Sequence, residues 1–187
     1  MAFTVGYMKK RLTKELNNAK DNFVVLTILP RDNYHELNHH MIKHMIKSKK
    51  NGAYVAINRP YRTIIEALNK EGIDHSKLFF IDCVSTKNDS MAENCAFIKS
   101  AKSLTNIGIA LEQIYKKGQH SFVLLDSIDA LSLYHEPEMI VRFARSLVSR
   151  IRDEKLCGLM IGLQEDTDKR IINEIAVVCD KVIDLSK

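Results

Sequence analysis

Short, nearly continuous apolar runs alternate along the chain with longer segments of helical period. Such runs are typical of strands that are buried on both faces of a parallel sheet. The runs are Phe23–Leu29, Ala53–Ile57, Leu78–Val84, Ser121–Leu125 and Leu156–Leu163. A further run, Val177–Leu185, mixes apolar residues with charged ones, among them Asp180, and predicts an edge strand with Asp180 inside it.

Amphipathic segments lie between the apolar runs. Tyr34–Lys50 and Pro137–Asp153 carry apolar stripes at helical spacing, and Pro137 is suited to a first helical turn. Tyr61–Asn69 and Leu104–Lys117 repeat the pattern less strongly. This alternation of strands and helices predicts a doubly wound, three-layer α/β domain with right-handed crossovers.

One long stretch, Ser85–Ser100, has no clear period and is predicted to be a surface loop. The chain of 187 residues, 45% of them apolar, is long enough for one substantial core and shows no linker or internal repeat. We therefore predict a single domain over residues 1–187, with a helical extension at 1–21 and a core at 22–187.

Charge and cysteine usage add modest constraints. The formal net charge of +5 permits contact with nucleic acid or acidic partners without requiring either. The four cysteines have no CxxC spacing, and at least three of them lie in apolar strand-like runs where a thiol is expected to be a small buried hydrophobe. No apolar run approaches the roughly 18 residues of a membrane span, and the first residues lack a signal-peptide apolar core. These features predict a soluble, cytoplasmic protein.

Polar residues follow two of the predicted strands. Asp126 ends the run in SFVLLDSIDAL, and Gln164 follows Leu156–Leu163. Ligands of doubly wound sheets bind outside the carboxyl ends of the strands, where an aspartate can hold Mg²⁺ and an amide can sense phosphate. An acidic residue at the end of a buried strand is also common for structural reasons, so neither residue decides the function alone.

Three segments together resemble the KaiC-like branch of the RecA superfamily of ATPases. They are GAYVAINRPYRTIIEALNKEGIDHSKLFFID, VLLDSIDAL and the closing EDTDKRIINEIAVVCDKVIDL. The resemblance extends from about Asn22 to the C-terminus and rests on order and spacing. It implies a RecA-like core of the P-loop NTPase type, with a mainly parallel sheet flanked by helices. It also implies ATP at the carboxyl edge and assembly into rings or filaments with ATP between subunits.

The loop after the first strand departs from that family. The family has a GPPGTGKTTL-like loop, and an ungapped alignment places Asn33 on its final glycine, Tyr34 on its lysine and His35 on its hydroxyl residue. The glycines allow positive φ and close approach of N–H groups to phosphate, and the lysine neutralises phosphate charge. Arg31 is a nearby cation in a loop without glycine. Asn33 and Glu36 instead predict a capping box that satisfies the helix N-terminus and closes it to phosphate.

The end of the second strand departs as well. The resemblance implies a glutamate there that activates the attacking water, whereas this chain has Asn58, Arg59 and Pro60, none of which is a general base. We interpret the chain as a pseudo-ATPase without a cofactor, acting in regulation, signal transduction or scaffolding. The residues of its degenerate nucleotide site are Arg31, Asn33, Tyr34, His35, Asn58, Asp126 and Gln164.

Two other functions stay open. One is a divergent ATPase with Asp126 on Mg²⁺ and Arg31 on phosphate. The other is a DNA-binding recombinase accessory, suggested by the basic runs Lys9–Arg11 and Lys47–Lys50 and by the arginines of Pro137–Asp153. Acidic residues are interspersed and no aromatic-rich basic groove is evident, so a solvated face is favoured over a nucleic-acid site.

Histidine pairs and strand-end loops complete the candidate sites. His35 with His39, and His40 with His44, have the i, i+4 spacing of zinc ligands but lack further ligands, so no metal site is predicted. The partner is expected to be a protein, either an active KaiC-like ATPase or a second copy of this chain. Its predicted docking surface is formed by Asn33–His35, Asn58–Pro60 and Gln164–Asp168.

Overall fold

A computed structural model describes residues 3–19, 21–86, 92–164 and 167–186 of the chain. Within these residues lie seven strands and seven α-helices. The strands are β1 (Val24–Leu29), β2 (Gly52–Ala56), β3 (Leu78–Asp82), β4 (Cys95–Phe97), β5 (Phe122–Asp126), β6 (Cys157–Leu163) and β7 (Lys181–Asp184). The helices are α1 (Val5–Asn17), α2 (Tyr34–Lys49), α3 (Tyr61–Lys70), α4 (Leu104–Lys117), α5 (Ile128–Leu131), α6 (Pro137–Asp153) and α7 (Lys169–Ala176).

The strands form one sheet in the order β4-β3-β2-β5-β6-β1-β7. Every strand pairing in the described part of the chain is parallel. The predicted α/β class with a doubly wound parallel sheet is therefore confirmed, and β7 is the edge strand that the sequence indicated. Because the strands are parallel, the carboxyl ends of β2, β5, β6 and β1 meet at one edge, where ligands of such sheets bind.

Two helical layers cover the sheet. Helices α1 to α3 pack on one face and α4 to α7 on the other. Successive residues of a strand point to opposite faces, so Val25 belongs to the core cluster that contains Leu12 of α1, and Val24 belongs to the cluster that contains Leu147 of α6. Every residue of β1, β2, β5 and β6 is buried, which explains their continuous apolar sequence. None of the described helices is both long and apolar enough to span a membrane.

The predicted surface loop Ser85–Ser100 is wrong in its last third. Cys95–Phe97 forms β4, which pairs with Phe80–Asp82 of β3. The strand escaped sequence analysis because it has three residues, all half-buried at the sheet edge, and therefore no apolar run. Residues 87–91 of the predicted loop lie outside the described residues.

Asp180 precedes β7, so its predicted place inside that strand is wrong. Its Oδ2 accepts a hydrogen bond from Val24 N at 2.7 Å, and its own N–H donates to Val24 O at 2.8 Å. Its Oδ1 also accepts from Arg152 Nη2 at 3.1 Å. The carboxylate thus joins the start of β1 to the approach of β7.

The buried carboxylate of Asp82 explains the acidic residue at the end of β3. It accepts hydrogen bonds from the backbone N–H of Tyr61 at 2.8 Å, of Val84 at 2.8 Å and of Ser85 at 2.9 Å. Tyr61 is the first residue of α3, so Asp82 satisfies a helix N-terminus as well as its own loop. This strand-end acid is structural.

The close packing of Gly52 against Phe122 gives a test of the core. A Cβ at Gly52 would lie 2.2 Å from the Phe122 ring, which is fully buried between β2 and its helical layer. We expect Gly52→Ala to lower the free energy of unfolding by about 1–3 kcal/mol through overpacking. Gly108→Ala is the matched control: it lies within α4, where a Cβ meets nothing within 4 Å. It should raise stability by about 0.5–1 kcal/mol. Denaturant unfolding measures both, and an unchanged midpoint for Gly52→Ala would contradict this packing.

Candidate functional site

Asp126 is the last residue of β5, which lies between β2 and β6 near the middle of the sheet. Its side chain is completely buried, with 0% exposure. A buried carboxylate is costly unless donors surround it, so its partners define what this part of the sheet can do.

Three side chains donate hydrogen bonds to the Asp126 carboxylate. The Tyr34 hydroxyl donates to Oδ1, the Tyr54 hydroxyl donates to Oδ2, and Asn38 Nδ2 donates to Oδ2 at 3.1 Å. Asn38 Nδ2 also lies 3.0 Å from the Tyr54 hydroxyl. We call Asp126, Tyr34, Asn38 and Tyr54 the Asp126 cluster; all four residues are buried.

The local structure explains why these residues meet. Tyr34 is the first residue of α2, and Asn38 follows one helical turn later, so both face the sheet. Tyr54 is the central residue of β2, which pairs with β5 in parallel register. Two helix positions and one strand position thus converge on the end of β5.

Burial and the nearby carboxylate keep both tyrosines protonated. Burial raises the pKa of Tyr34 first, and the charge of Asp126 raises it further. The pKa of Tyr54 is raised by the same two causes in the same order. Both side chains therefore act as O–H donors, and hydrogen bonds to an ionised acceptor are the strong ones.

Arg59 covers the Asp126 cluster from the loop after β2. Its guanidinium lies over the Tyr34 ring, 5.6 Å from the ring centroid, in a cation–π arrangement. Its Nε and Nη2 are buried and have no hydrogen-bond partner among the described residues. The position that the alignment assigns to the family's lysine is thus filled by an aromatic ring beneath an arginine.

The predicted capping box is wrong. The side chain of Asn33 makes no capping hydrogen bond, and Glu36 forms an ion pair with Lys9 of α1 at 2.6 Å. A 3-10 turn over Arg31–Asn33 leads directly into α2 and holds Asn33 at φ −111°, ψ 6°, outside the extended conformation that an N-cap needs. The start of α2 is instead anchored by the Tyr34 side chain.

The other predicted site residues lie around the cluster. Arg31 and His35 are exposed at the start of α2, and Asn58 and Gln164 are exposed after β2 and β6. The Ile57 N–H donates to Asp126 O at 2.7 Å, which holds the loop of Asn58 against the end of β5. Of the seven predicted site residues, Tyr34 and Asp126 are joined by a hydrogen bond. Four others, Arg31, His35, Asn58 and Gln164, are exposed at nearby ends of helices and strands.

Sequence analysis missed Tyr54, Asn38 and the role of Arg59. A tyrosine inside the otherwise aliphatic AYVAI run is the one signal for Tyr54. Asn38 stands one turn after Tyr34 and interrupts no visible pattern. A second acid of the same segment, Asp129, was also overlooked; its Oδ1 accepts from Leu163 N at 3.2 Å and ties α5 to the end of β6.

The predicted histidine pairs are engaged separately. His39 Nδ1 lies 2.5 Å from Glu71 Oε1, and His40 Nε2 lies 2.8 Å from Thr13 Oγ1. Over residues 3–19, 21–86, 92–164 and 167–186, no group of three or more His, Cys, Asp and Glu side chains is arranged to hold a metal ion.

Comparisons with known proteins find one family model and many similar solved structures. A family model described as the KaiC ATPase matches residues 38–187, beginning four residues after Tyr34. Among solved structures, the fold is similar to that of a KaiC-like protein from the hyperthermophilic archaeon Pyrococcus horikoshii, with a TM-score of 0.63 and 13% sequence identity. That likeness covers 88% of this chain and 72% of the archaeal chain. At such low identity it supports the RecA-type fold alone. No curated protein matches the sequence.

The Asp126 cluster predicts a measurable loss of stability when its donors are removed. At pH 7 we expect Tyr34→Phe and Tyr54→Phe each to lower the free energy of unfolding by about 1.5–3 kcal/mol, because each removes a hydrogen bond to a buried carboxylate. Tyr134→Phe, at an exposed tyrosine, is the control and should change stability by less than about 0.5 kcal/mol. Equal effects at buried and exposed positions would contradict the cluster.

The same tyrosines predict how stability depends on alkaline pH. Their pKa values are raised in the folded state, whereas an unfolded tyrosine loses its proton near pH 10. Their contribution is therefore complete below about pH 10 and is lost above it, by about 1.4 kcal/mol per pH unit for each tyrosine. We expect the double variant Tyr34→Phe/Tyr54→Phe to lose stability less steeply than the wild type between about pH 10 and 11.5 in denaturant titrations. Identical slopes would show that the phenols are not held as described.

Proposed function

Since the chain belongs to the KaiC ATPase family, we propose that it is a member in which ATP hydrolysis has been lost and that it acts through protein contacts, in regulation or scaffolding. The proposal requires neither ATP nor Mg²⁺ for that role. One observation carries it: Asp126, the residue that the family resemblance assigns to Mg²⁺, is enclosed in the Asp126 cluster.

Magnesium binding at Asp126 would disrupt the cluster. Mg²⁺ requires near-ideal octahedral oxygen coordination and usually keeps several of its waters. At Asp126, Oδ1 accepts from Tyr34 while Oδ2 accepts from both Tyr54 and Asn38, and the side chain has no exposed surface. An incoming hydrated ion would have to displace hydrogen bonds to an ionised group, each worth about 1.5–3 kcal/mol. This supports an aspartate with a structural role.

The phosphate-binding position is occupied as well. A P-loop binds phosphate through backbone N–H groups made accessible by glycines and through one lysine. Here a 3-10 turn without glycine precedes α2, and Tyr34 places its ring against Arg59. The packed Tyr34 side chain, rather than the capping box that the sequence indicated, supports a closed site.

The positions for a general base give no support for hydrolysis. Asn58 follows β2 where the family resemblance implies a glutamate, and an amide cannot take a proton from water. Asp129 is a carboxyl group at this edge, and burial raises its pKa. Its Oδ1 accepts from Leu163 N, which supports a structural role for it too.

The proposed contacts use the exposed rim around the closed site. Arg31, His35, Asn58, Gln164 and Asp168 are exposed there, so the rim is polar and available to a partner. The family resemblance implies that this edge faces a neighbouring subunit. We propose that the rim docks a second copy of this chain or an active KaiC-like ATPase. Residues 165 and 166 of the docking surface expected from the sequence lie outside the described residues.

Nucleotide assays test the loss of hydrolysis. We expect calorimetric titration with Mg·ATP to show no micromolar binding and phosphate release to stay at background, because the site lacks a phosphate loop and an open metal ligand. Asp126→Asn and Arg31→Ala should behave like the wild type. Micromolar Mg·ATP affinity, or turnover that either variant abolishes while its circular dichroism stays native, would establish the divergent ATPase instead.

Light scattering over a range of concentrations, alone and with a co-expressed KaiC-family ATPase, tests the rim. We expect an assembly that Arg31→Glu combined with Lys169→Glu weakens at least tenfold, since both side chains are exposed on the rim side of the sheet. Lys70→Glu combined with Lys77→Glu makes the same change of charge at exposed residues before β3, at the opposite edge of the sheet, and should leave assembly intact. A monomer at every concentration that binds no such ATPase would remove this part of the proposal.

A further inference from the structure

The excess positive charge of the chain is concentrated on two neighbouring helices. Helices α1 and α2 together contain seven lysine or arginine residues and two glutamates, a formal charge of +5. The formal net charge of all 187 residues is also +5, so the rest of the sequence is neutral overall. The two helices pack side by side, joined by the Thr13–His40 hydrogen bond and the Lys9–Glu36 ion pair.

Four of these seven cations are exposed and form no close ion pair in the described part of the chain. Both glutamates of the two helices are paired, Glu36 with Lys9 and Glu15 with Lys181. Four exposed lysines have no ion-pair partner within 4.0 Å among the described residues. They are Lys10 and Lys14 of α1 and Lys43 and Lys47 of α2. Along α1, beside His40 of α2, lies an open depression of about 430 Å³ whose lining is three lysines, two asparagines, a threonine and a histidine, with no carboxylate.

Exposed aromatic rings continue the same surface. Tyr7, Lys10, Lys14 and Asn17 recur at the spacing of one helical face, and all four are exposed. The ring of Phe3, just before the helix, stacks on Tyr7 with centroids 4.6 Å apart and planes 20° apart. The two residues are 41% and 49% exposed, although apolar rings normally bury more of their surface. Sequence analysis found no such aromatic and basic surface because it examined the basic runs without their helical face.

We propose that this α1–α2 surface binds single-stranded nucleic acid. Lys10, Lys14, Lys43 and Lys47 contact the phosphates, and the Phe3–Tyr7 pair stacks on a base. Cationic grooves with exposed aromatic rings bind single strands in this way, since every base has a π-face and every nucleotide a phosphate. This site is separate from the Asp126 cluster and does not depend on whether the chain hydrolyses ATP.

The surface fits a single strand better than an anionic membrane or an acidic protein. A basic amphipathic helix enters a membrane with its apolar face, and here that face is occupied, because Met8, Leu12 and Leu16 are buried in the core. An acidic protein segment would use the lysines but leave the stacked rings without a function. A single strand uses the lysines for its phosphates and the stacked rings for a base.

Fluorescence anisotropy with a labelled oligo(dT) of about 20 nucleotides tests the proposal. The lysines should affect both the affinity and its salt dependence, whereas the rings should affect the affinity alone. We expect Lys10→Gln/Lys14→Gln to weaken binding about tenfold at low salt. The slope of log K against log salt should fall by about 1.4, or about 0.7 for each phosphate that is no longer neutralised. Phe3→Ala/Tyr7→Ala should also weaken binding about tenfold but leave the salt slope unchanged. Lys99→Gln/Lys102→Gln is the matched control and should change neither quantity.

Three outcomes would overturn the proposal. The first is an absence of oligonucleotide binding at low salt by the wild-type chain. The second is equal loss of affinity in the control and in the α1 variants, which would mean that net charge alone drives retention. The third is tighter binding to a poly-glutamate peptide or to phosphatidylserine vesicles than to the oligonucleotide. All the changed residues are exposed, so each variant is expected to fold. Circular dichroism checks this for each one.

Discussion

The packing at the carboxyl edge of the sheet depends on one buried carboxylate and the donors that satisfy it. Asp126 ends a central strand with no access to water, so its charge is tolerable only because two phenols and an amide donate to it. The donors come from α2 and β2, so satisfying the carboxylate also fixes the start of α2 against the sheet. Arg59 then lies over the outer ring. The carboxyl end of β5 is therefore packed with side chains that donate to Asp126.

Two other acids near strand termini, the buried Asp82 and the exposed Asp180, show that a carboxylate at a strand terminus of this sheet need not indicate chemistry. Asp82 is satisfied by backbone N–H groups of α3 and its own loop, and Asp180 by the backbone of β1 and by Arg152. Asp126 differs in the kind of donor. In the described residues, every hydrogen bond to its carboxylate comes from another side chain. Backbone donors are available whatever the sequence, whereas Tyr34, Asn38 and Tyr54 had to be supplied residue by residue. That difference is the physical reason why the proposed loss of hydrolysis rests on the Asp126 cluster and not on Asp82 or Asp180.

The fold was largely predictable from the sequence, whereas the site was predictable only in part. Fully buried strands have continuous apolar sequences, so β1, β2, β3, β5 and β6 were located to within two residues at each end. The half-buried β4 has no such signal. Asp126 and Tyr34 were identified by order and spacing, but their hydrogen bond joins residues 92 positions apart, and nothing local in the sequence indicates it. The prediction of a capping box was wrong for the opposite reason. Its local pattern is present, but Asn33 belongs to a 3-10 turn and Glu36 pairs with Lys9 of α1 instead.

Helix α2 connects the Asp126 cluster to the basic surface that it forms with α1. Its first turn places Tyr34 in the Asp126 cluster, its buried residues pack on the sheet, and its exposed lysines face solvent beside α1. The Lys9–Glu36 pair attaches α1 to that same first turn. If the N-terminus of a helix binds phosphate, the side chains of its first turn cannot pack over that N-terminus. The hydrogen bond from Tyr34 to Asp126 instead attaches the start of α2 to the sheet, so the support of the surface that α2 shares with α1 needs no bound nucleotide.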